Sequence, residues 1–282
     1  KVQEIKTSLG TIVDHKFSPD SRYVSYVLNT DVYVYDLEQN REMRITEGGT
    51  DDVSHGVAEF VAQEEMDRFA GYWWSPDSQR IVFQESDSRE VETWYVADPA
   101  KPENAPYPTR YPRPGKANVK VRLGITPIDK KEITWLDWNR ERYPYLARVT
   151  WETNGPLTIT VQTRDQKEVV LLEASPSNGS TAPLVTERDP AWVNLRHDIP
   201  RWLPNGKGFI WASERSGDWQ IEWRNPDGSL KALVPTGLIK LRDISSVDET
   251  NVVFTGAPDP TQAKLYSVRI SGGPSTALTR ES

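Results

Sequence analysis

Glu64 and Glu65 are the side chains of this sequence whose type and spacing most directly suggest chemistry. Two adjacent carboxylates set against packed surface repel one another and call for a cation. Both lie in His55–Trp74, where Val57, Phe60, Val61 and Phe69 recur at offsets close to a helical period and predict a short amphipathic helix. Glu64 falls four residues after Phe60 and Glu65 four after Val61, which places both carboxylates beside the apolar stripe instead of opposite it. The other polar constellations are poorer. His15, His55 and His197 are too scattered for a metal-ligand motif. Glu85, Asp87 and Glu90 match no calcium-loop spacing, and Asp51 and Asp52 read as an acidic loop ahead of the helix, complementing its dipole. Neither a metal nor a cofactor is expected.

The scaffold that must position the glutamates is bounded by composition. At 282 residues the chain has ample length for a sizeable core. Its net charge of -7 argues against nucleic acid or an anionic membrane surface as the main partner and leaves cationic ligands open. No window approaches the length of apolar sequence that spans a bilayer. The absence of cysteine excludes disulfides, thiolate metal sites and cysteine nucleophiles, and fits a cytosolic or a periplasmic protein equally well.

The sequence repeats itself around an aromatic residue, a tight turn and a strand. Phe17-Ser-Pro-Asp-Ser-Arg-Tyr-Val-Ser-Tyr-Val27 returns as Trp74-Ser-Pro-Asp-Ser-Gln-Arg-Ile-Val-Phe-Gln84 and as Trp202-Leu-Pro-Asn-Gly-Lys-Gly-Phe-Ile-Trp-Ala212. Proline presets the second turn position, and Asp, Asn, Ser or Gly suits those that follow. Weaker copies run over Asp137–Trp151, with Trp138 as the aromatic, and over Ser246–Thr255. Each copy is followed by alternating β-branched and aromatic residues that predict a second hairpin, at Val32–Leu37, Glu92–Val96, Leu157–Gln162, Trp219–Trp223 and Lys264–Arg269. Two hairpins per repeat make the four-stranded blade of a β-propeller. About five blades are expected, with the helical segment and a proline-rich tract from Pro99 to Pro114 as insertions. The fold class is therefore all-β.

Gly56-Val-Ala-Glu-Phe-Val-Ala-Gln-Glu-Glu-Met-Asp-Arg-Phe-Ala-Gly-Tyr-Trp-Trp-Ser-Pro76 closely resembles the glutamate-motif segment of the dipeptidyl peptidase IV family, particularly its dipeptidyl peptidase 8/9 branch. Tyr111-Pro-Arg-Pro-Gly-Lys-Ala-Asn-Val-Lys-Val121 resembles the Tyr-Pro-x-x-Gly-x-x-Asn segment of the same family, and Gln84–Val91 is similar to the polar loop between the two. The resemblance implies a serine exopeptidase with an N-terminal eight-bladed propeller and a C-terminal α/β-hydrolase domain, releasing dipeptides with a penultimate Pro or Ala. It assigns Glu64 and Glu65 to the free α-ammonium of the peptide substrate. An α-amino group with a pKa of about 7.7–8.0 is largely protonated at neutral pH, and its hydrogen bond to a carboxylate contributes about 1.5–3 kcal/mol. An acylated N-terminus would leave both carboxylates unpaired, which gives the selectivity.

The sequence holds no Gly-x-Ser-x-Gly nucleophile elbow, so no catalytic residue is expected within it, and residues 1–282 read as part of a substrate-gating propeller whose hydrolase domain lies outside them. An arginine that contacts the substrate carbonyl in this family matches no residue here. The resemblance also implies a homodimer, and a periplasmic location if the source is bacterial or a cytoplasmic one if it follows the 8/9 branch. The rival readings are a non-catalytic propeller that serves as an interaction module and an inactive member of the same family.

Overall fold

The computed structural model describes residues 4–279. Strand follows strand in antiparallel sheets, and in four of the five blades of the described residues neighbours in space are neighbours in sequence. The chain forms two compact units. The first runs to Ala147 and includes Pro176–Ser180; the second takes Arg148–Ser175 and continues from Thr181.

The first unit opens with a four-stranded blade of Ile12–Phe17, Tyr23–Leu28, Asp31–Asp36 and Arg41–Arg44. In its second blade, Val53–His55 and Tyr72–Trp74 both pair with Arg80–Asp87, which pairs in turn with Lys120–Pro127 and through it with Thr134–Trp135. The two blades share a core of Tyr23, Val27, Val32, Val34, Tyr72, Trp74, Ile81 and Phe83. Polar groups stitch the same seam: Trp74 Nε1 donates to Ser25 Oγ at 2.8 Å, and Ser25 Oγ donates to Tyr72 Oη at 3.1 Å. Three more blades follow: Tyr145–Thr150 to Thr181–Arg188, Arg201–Trp202 to Leu230–Val234, and Lys240–Val247 to Thr276–Ala277. The core of the second unit is led by Trp202, Phe209, Ile210, Trp211, Ile221, Val252 and Phe254.

The repeated turn explains why such different sequences make the same hairpin. Ser18, Ser75 and Leu203 each accept, at their carbonyl, the N–H of the residue three positions on, in bonds of 2.9 Å. The residues supplying those N–H groups, Ser21, Ser78 and Gly206, all take a positive φ, between 59° and 66°. The side chains of Ser18 and Ser75 reinforce the turn by donating to Asp20 and Asp77. The Ser-Pro-Asp-Ser signature thus encodes a left-handed turn closed by its own side chains.

Five blades appear, as the repeats predict, with two strands placed differently. The third repeat starts from Trp151, not Trp138: Tyr145–Thr150 is its first strand, and Leu157–Gln162 its second, pairing with Glu168–Ala174. Trp138 misleads because it too precedes a tight turn, in which Tyr143 N–H donates to Asn139 O at 2.9 Å, while its indole is buried and donates to Tyr143 O. Thr93–Val96 is a strand, but outside the blade; it pairs with Tyr107–Arg110 in a separate two-stranded arm, and Lys120–Pro127 fills its expected place. Trp94, Tyr95 and Val96 are all exposed, and alternation in sequence does not tell which sheet a strand will join.

Candidate functional site

The glutamates sit on an excursion from the first strand of the second blade. His55 pairs with Glu85 and Tyr72 with Phe83, so residues 56–71 leave and return opposite the single residue Gln84. Gln84 closes the gap with its own backbone, accepting from Gly56 N–H and donating to Gly71 O, both at 2.8 Å. A bridge between Val57 and Ala70 narrows the neck. Gly71 is required there: a Cβ would lie 2.4 Å from the backbone of Gly56 and Val57.

Beyond the neck the chain makes a helix of six residues, Phe60–Glu65. Glu59 caps it, its carboxylate accepting from Val61 N–H at 2.6 Å and Ala62 N–H at 3.0 Å. The helix is shorter than the predicted apolar stripe and turns a different face inward. Ala58, Ala62 and Met66, four residues apart, are buried, whereas Phe60 and Phe69 are exposed. Phe60 meets the root of the arm instead, with its ring 5.0 Å from that of Tyr111. Glu64 and Glu65 are exposed, and among the described residues neither makes a hydrogen bond or an ion pair.

Two buried ionic groups flank the excursion. On the way in, His55 is enclosed between carboxylates: Nδ1 lies 2.7 Å from Asp31 Oδ1 and Nε2 3.2 Å from Glu85 Oε2. Burial by itself would lower the imidazole pKa, but the hydrogen bonds to Asp31 and Glu85 prevail and raise it to about 9. Burial would likewise raise both acids; bonds from His55, Arg44 and Thr46 hold Asp31 at about 2, and bonds from His55 and Arg122 hold Glu85 at about 2. With an acceptor at each nitrogen, His55 is an imidazolium carrying both protons. On the way out, Arg68 is buried and donates from Nε to Leu146 O at 3.0 Å and from Nη1 to Ala70 O at 2.7 Å. Burial lowers its pKa to about 10, opposed by the charge of Glu59, so it stays cationic at neutral pH.

The profile of the dipeptidyl peptidase IV (DPP IV) N-terminal region matches residues 1–282. The chain belongs to the dipeptidyl peptidase IV family. Dipeptidyl peptidase 8 of Mus musculus and that of Homo sapiens are each 28% identical to it over 266 residues, covering 74% of this chain and 30% of the relative. The protein named probable dipeptidyl-aminopeptidase B of Coccidioides posadasii strain C735 is 23% identical over 294 residues, covering 93% of this chain and 32% of the relative. The chain thus spans about a third of the length of these relatives. The crystal structure of Porphyromonas gingivalis dipeptidyl peptidase 4 superposes with a TM-score of 0.87 at 20% identity, over 98% of this chain and 40% of that one, and shows the same propeller fold.

Within that family frame, the sequence motifs fall at one place in the first unit. The Tyr111 segment packs its aromatic ring on the glutamate helix, and Asn118 Nδ2 donates to Tyr145 Oη at 3.0 Å. Asp52 serves the arm and not the helix, accepting from Arg110 Nε and Nη2 at 3.0 and 2.8 Å. Glu85 is engaged with His55 and Arg122, Asp87 with Arg89, and Glu90 with Lys120. His55, Glu59 and Arg68 were not singled out by sequence reasoning, because their partners are 24 to 78 residues distant or belong to the backbone. Chemically, the excursion presents two exposed carboxylates, neither paired with a cation among the described residues, at the end of a capped helix. That arrangement suits an ammonium ligand.

Proposed function

We propose that this chain is the substrate-gating propeller of a serine-type dipeptidyl peptidase that releases N-terminal dipeptides with a penultimate Pro or Ala. In this reading Glu64 and Glu65 bind the free α-ammonium of the peptide, and a C-terminal α/β-hydrolase domain of the same protein supplies the nucleophile and its partners. The parent enzyme acts as a homodimer. The observation that carries the reading is the pair of exposed carboxylates on Phe60–Glu65, neither of which makes a hydrogen bond or ion pair among the described residues. Ordinary solvated glutamates do not require the capped, anchored excursion on which these two stand. A peptide ammonium between them would regain charge-assisted hydrogen bonds worth about 1.5–3 kcal/mol each. Anchoring the N-terminus at a fixed point fixes how many residues reach the scissile bond.

The test is hydrolysis of a Gly-Pro chromogenic amide by the full-length protein, beside the same substrate acetylated at its N-terminus. Only the free amine should be cleaved, and Glu64→Gln and Glu65→Gln should each lower turnover of it while the melting temperature stays unchanged. Equal cleavage of both substrates, or full activity in both variants, sinks the assignment.

A further inference from the structure

Arg68 lies three residues beyond the second glutamate and closes the turn that follows the helix. Its backbone N–H donates to Ala62 O at 2.9 Å, and its guanidinium ties that turn to Ala70 O and to Leu146 O of Tyr145–Thr150. The side chain is buried, and its Nη2 has no hydrogen-bond partner. An incompletely bonded guanidinium is an expensive way to fill a buried space, and an apolar side chain of similar volume would do so at less cost. The guanidinium offers what an apolar group lacks: a rigid fork with several donors and a charge that the carboxylate of Glu59 favours electrostatically.

A helix of six residues cannot hold itself together. Glu59 fixes its first turn and Arg68 its exit, and Glu64 and Glu65 lie between the two. We infer that Arg68 is a positioning residue for the glutamate pair: its buried guanidinium sets the direction in which the helix presents the two carboxylates to an ammonium ligand. The inference rests on the proposed role of Glu64 and Glu65. It makes Arg68 neither a ligand of the substrate nor a mere space filler.

Lysine at this position keeps the charge and loses the fork. In the full-length enzyme, Arg68→Lys should raise KM for the free-amine Gly-Pro amide by roughly 10- to 100-fold, the scale of a misplaced binding group, with kcat changed far less. Hydrogen exchange at the amides of residues 63 and 68, which bond to Glu59 O and Ala62 O, should speed up in the same variant. Glu59→Gln retains a capping acceptor and removes the charge that favours the Arg68 guanidinium, so it should move KM in the same direction by a smaller factor, and it serves if Arg68→Lys fails to fold. Wild-type KM in these variants overturns the inference if Glu65→Gln loses activity, because the clamp then works without the guanidinium. Should Glu64→Gln and Glu65→Gln both be fully active as well, the clamp itself has failed, and the inference falls with it. Faster exchange without a change in KM likewise overturns it, since Arg68 then only stabilises the loop.

Discussion

His55 gives the sharpest prediction, because its pH signature has a defined sign. Its imidazolium is raised from 6.5 to about 9 by the carboxylates of Asp31 and Glu85, with Arg44 and Arg122 completing the charged groups around those acids. A folded-state pKa above the unfolded value means stability that is fully present below about pH 6.5 and lost as pH rises through about 9. With about 1.4 kcal/mol per unit, the proton on His55 is linked to about 3 kcal/mol of stability. The acids have the opposite sign: their stability is present above the unfolded carboxylate values and lost as pH falls toward 2. A plateau near pH 5–6.5 follows. Thermal unfolding of the wild type and His55→Gln at pH 6, 7.5, 9 and 10 isolates the histidine, because other titrations cancel in the difference. The gap between them should shrink by about 3 kcal/mol from pH 6 to pH 10, or roughly 6–12 °C for a unit of this size. A constant gap would refute the reasoning, since it requires an imidazole with the same proton count in both states. Ring nitrogen chemical shifts at pH 8 provide a second check and should show both nitrogens protonated.

Other perturbations have expected outcomes of their own. Gly71→Ala puts a methyl group 2.4 Å from the Gly56–Val57 backbone and should destabilise by about 1–3 kcal/mol or more, read as a lowered melting temperature. Glu187→Gln weakens a buried acceptor of Trp211 Nε1, Ser213 Oγ and Arg215 Nη2 and should cost about 1–3 kcal/mol in chemical denaturation. Asp52→Asn, at a half-exposed pair with Arg110, should cost no more than about 1 kcal/mol globally, yet speed proteolytic nicking at 97–106 in the tip of the arm.

The blades were legible because their turns are local. Ser-Pro-Asp-Ser encodes a closed left-handed turn within four residues, and no distant partner is needed to find it. The same locality explains the errors. Trp138 precedes an equally local turn and displaced the third repeat by one strand, while Thr93–Val96 has the alternation of a strand with nothing in its sequence to exclude it from the blade. Around the helix, apolar character pointed to Phe60 and Phe69, but the side that is buried carries Ala58, Ala62 and Met66. Glu64 and Glu65 stood out by adjacency. His55 and Arg68 did not, because a single histidine and a single arginine acquire meaning only when folding brings Asp31, Glu85 and Leu146 to them.

The neck at Gln84 has a consequence for how such a protein can change. Sixteen residues, 56–71, depart and rejoin across one position of the neighbouring strand, and Gln84 spans the break with its own N–H and C=O. The strand Arg80–Asp87 therefore loses only one position of pairing to the excursion, which meets the rest of the unit through contacts of its own, Arg68 with Leu146 O and Phe60 with Tyr111. Its exposed residues can be exchanged while the blade keeps its register, provided that a residue as small as Gly71 still closes the neck and Arg68 keeps its bond to Leu146 O. The blade and the excursion set into it can then vary at different rates. If Glu64 and Glu65 hold the substrate ammonium as proposed, grafting 57–70 from a relative with a different helix should carry its selectivity along.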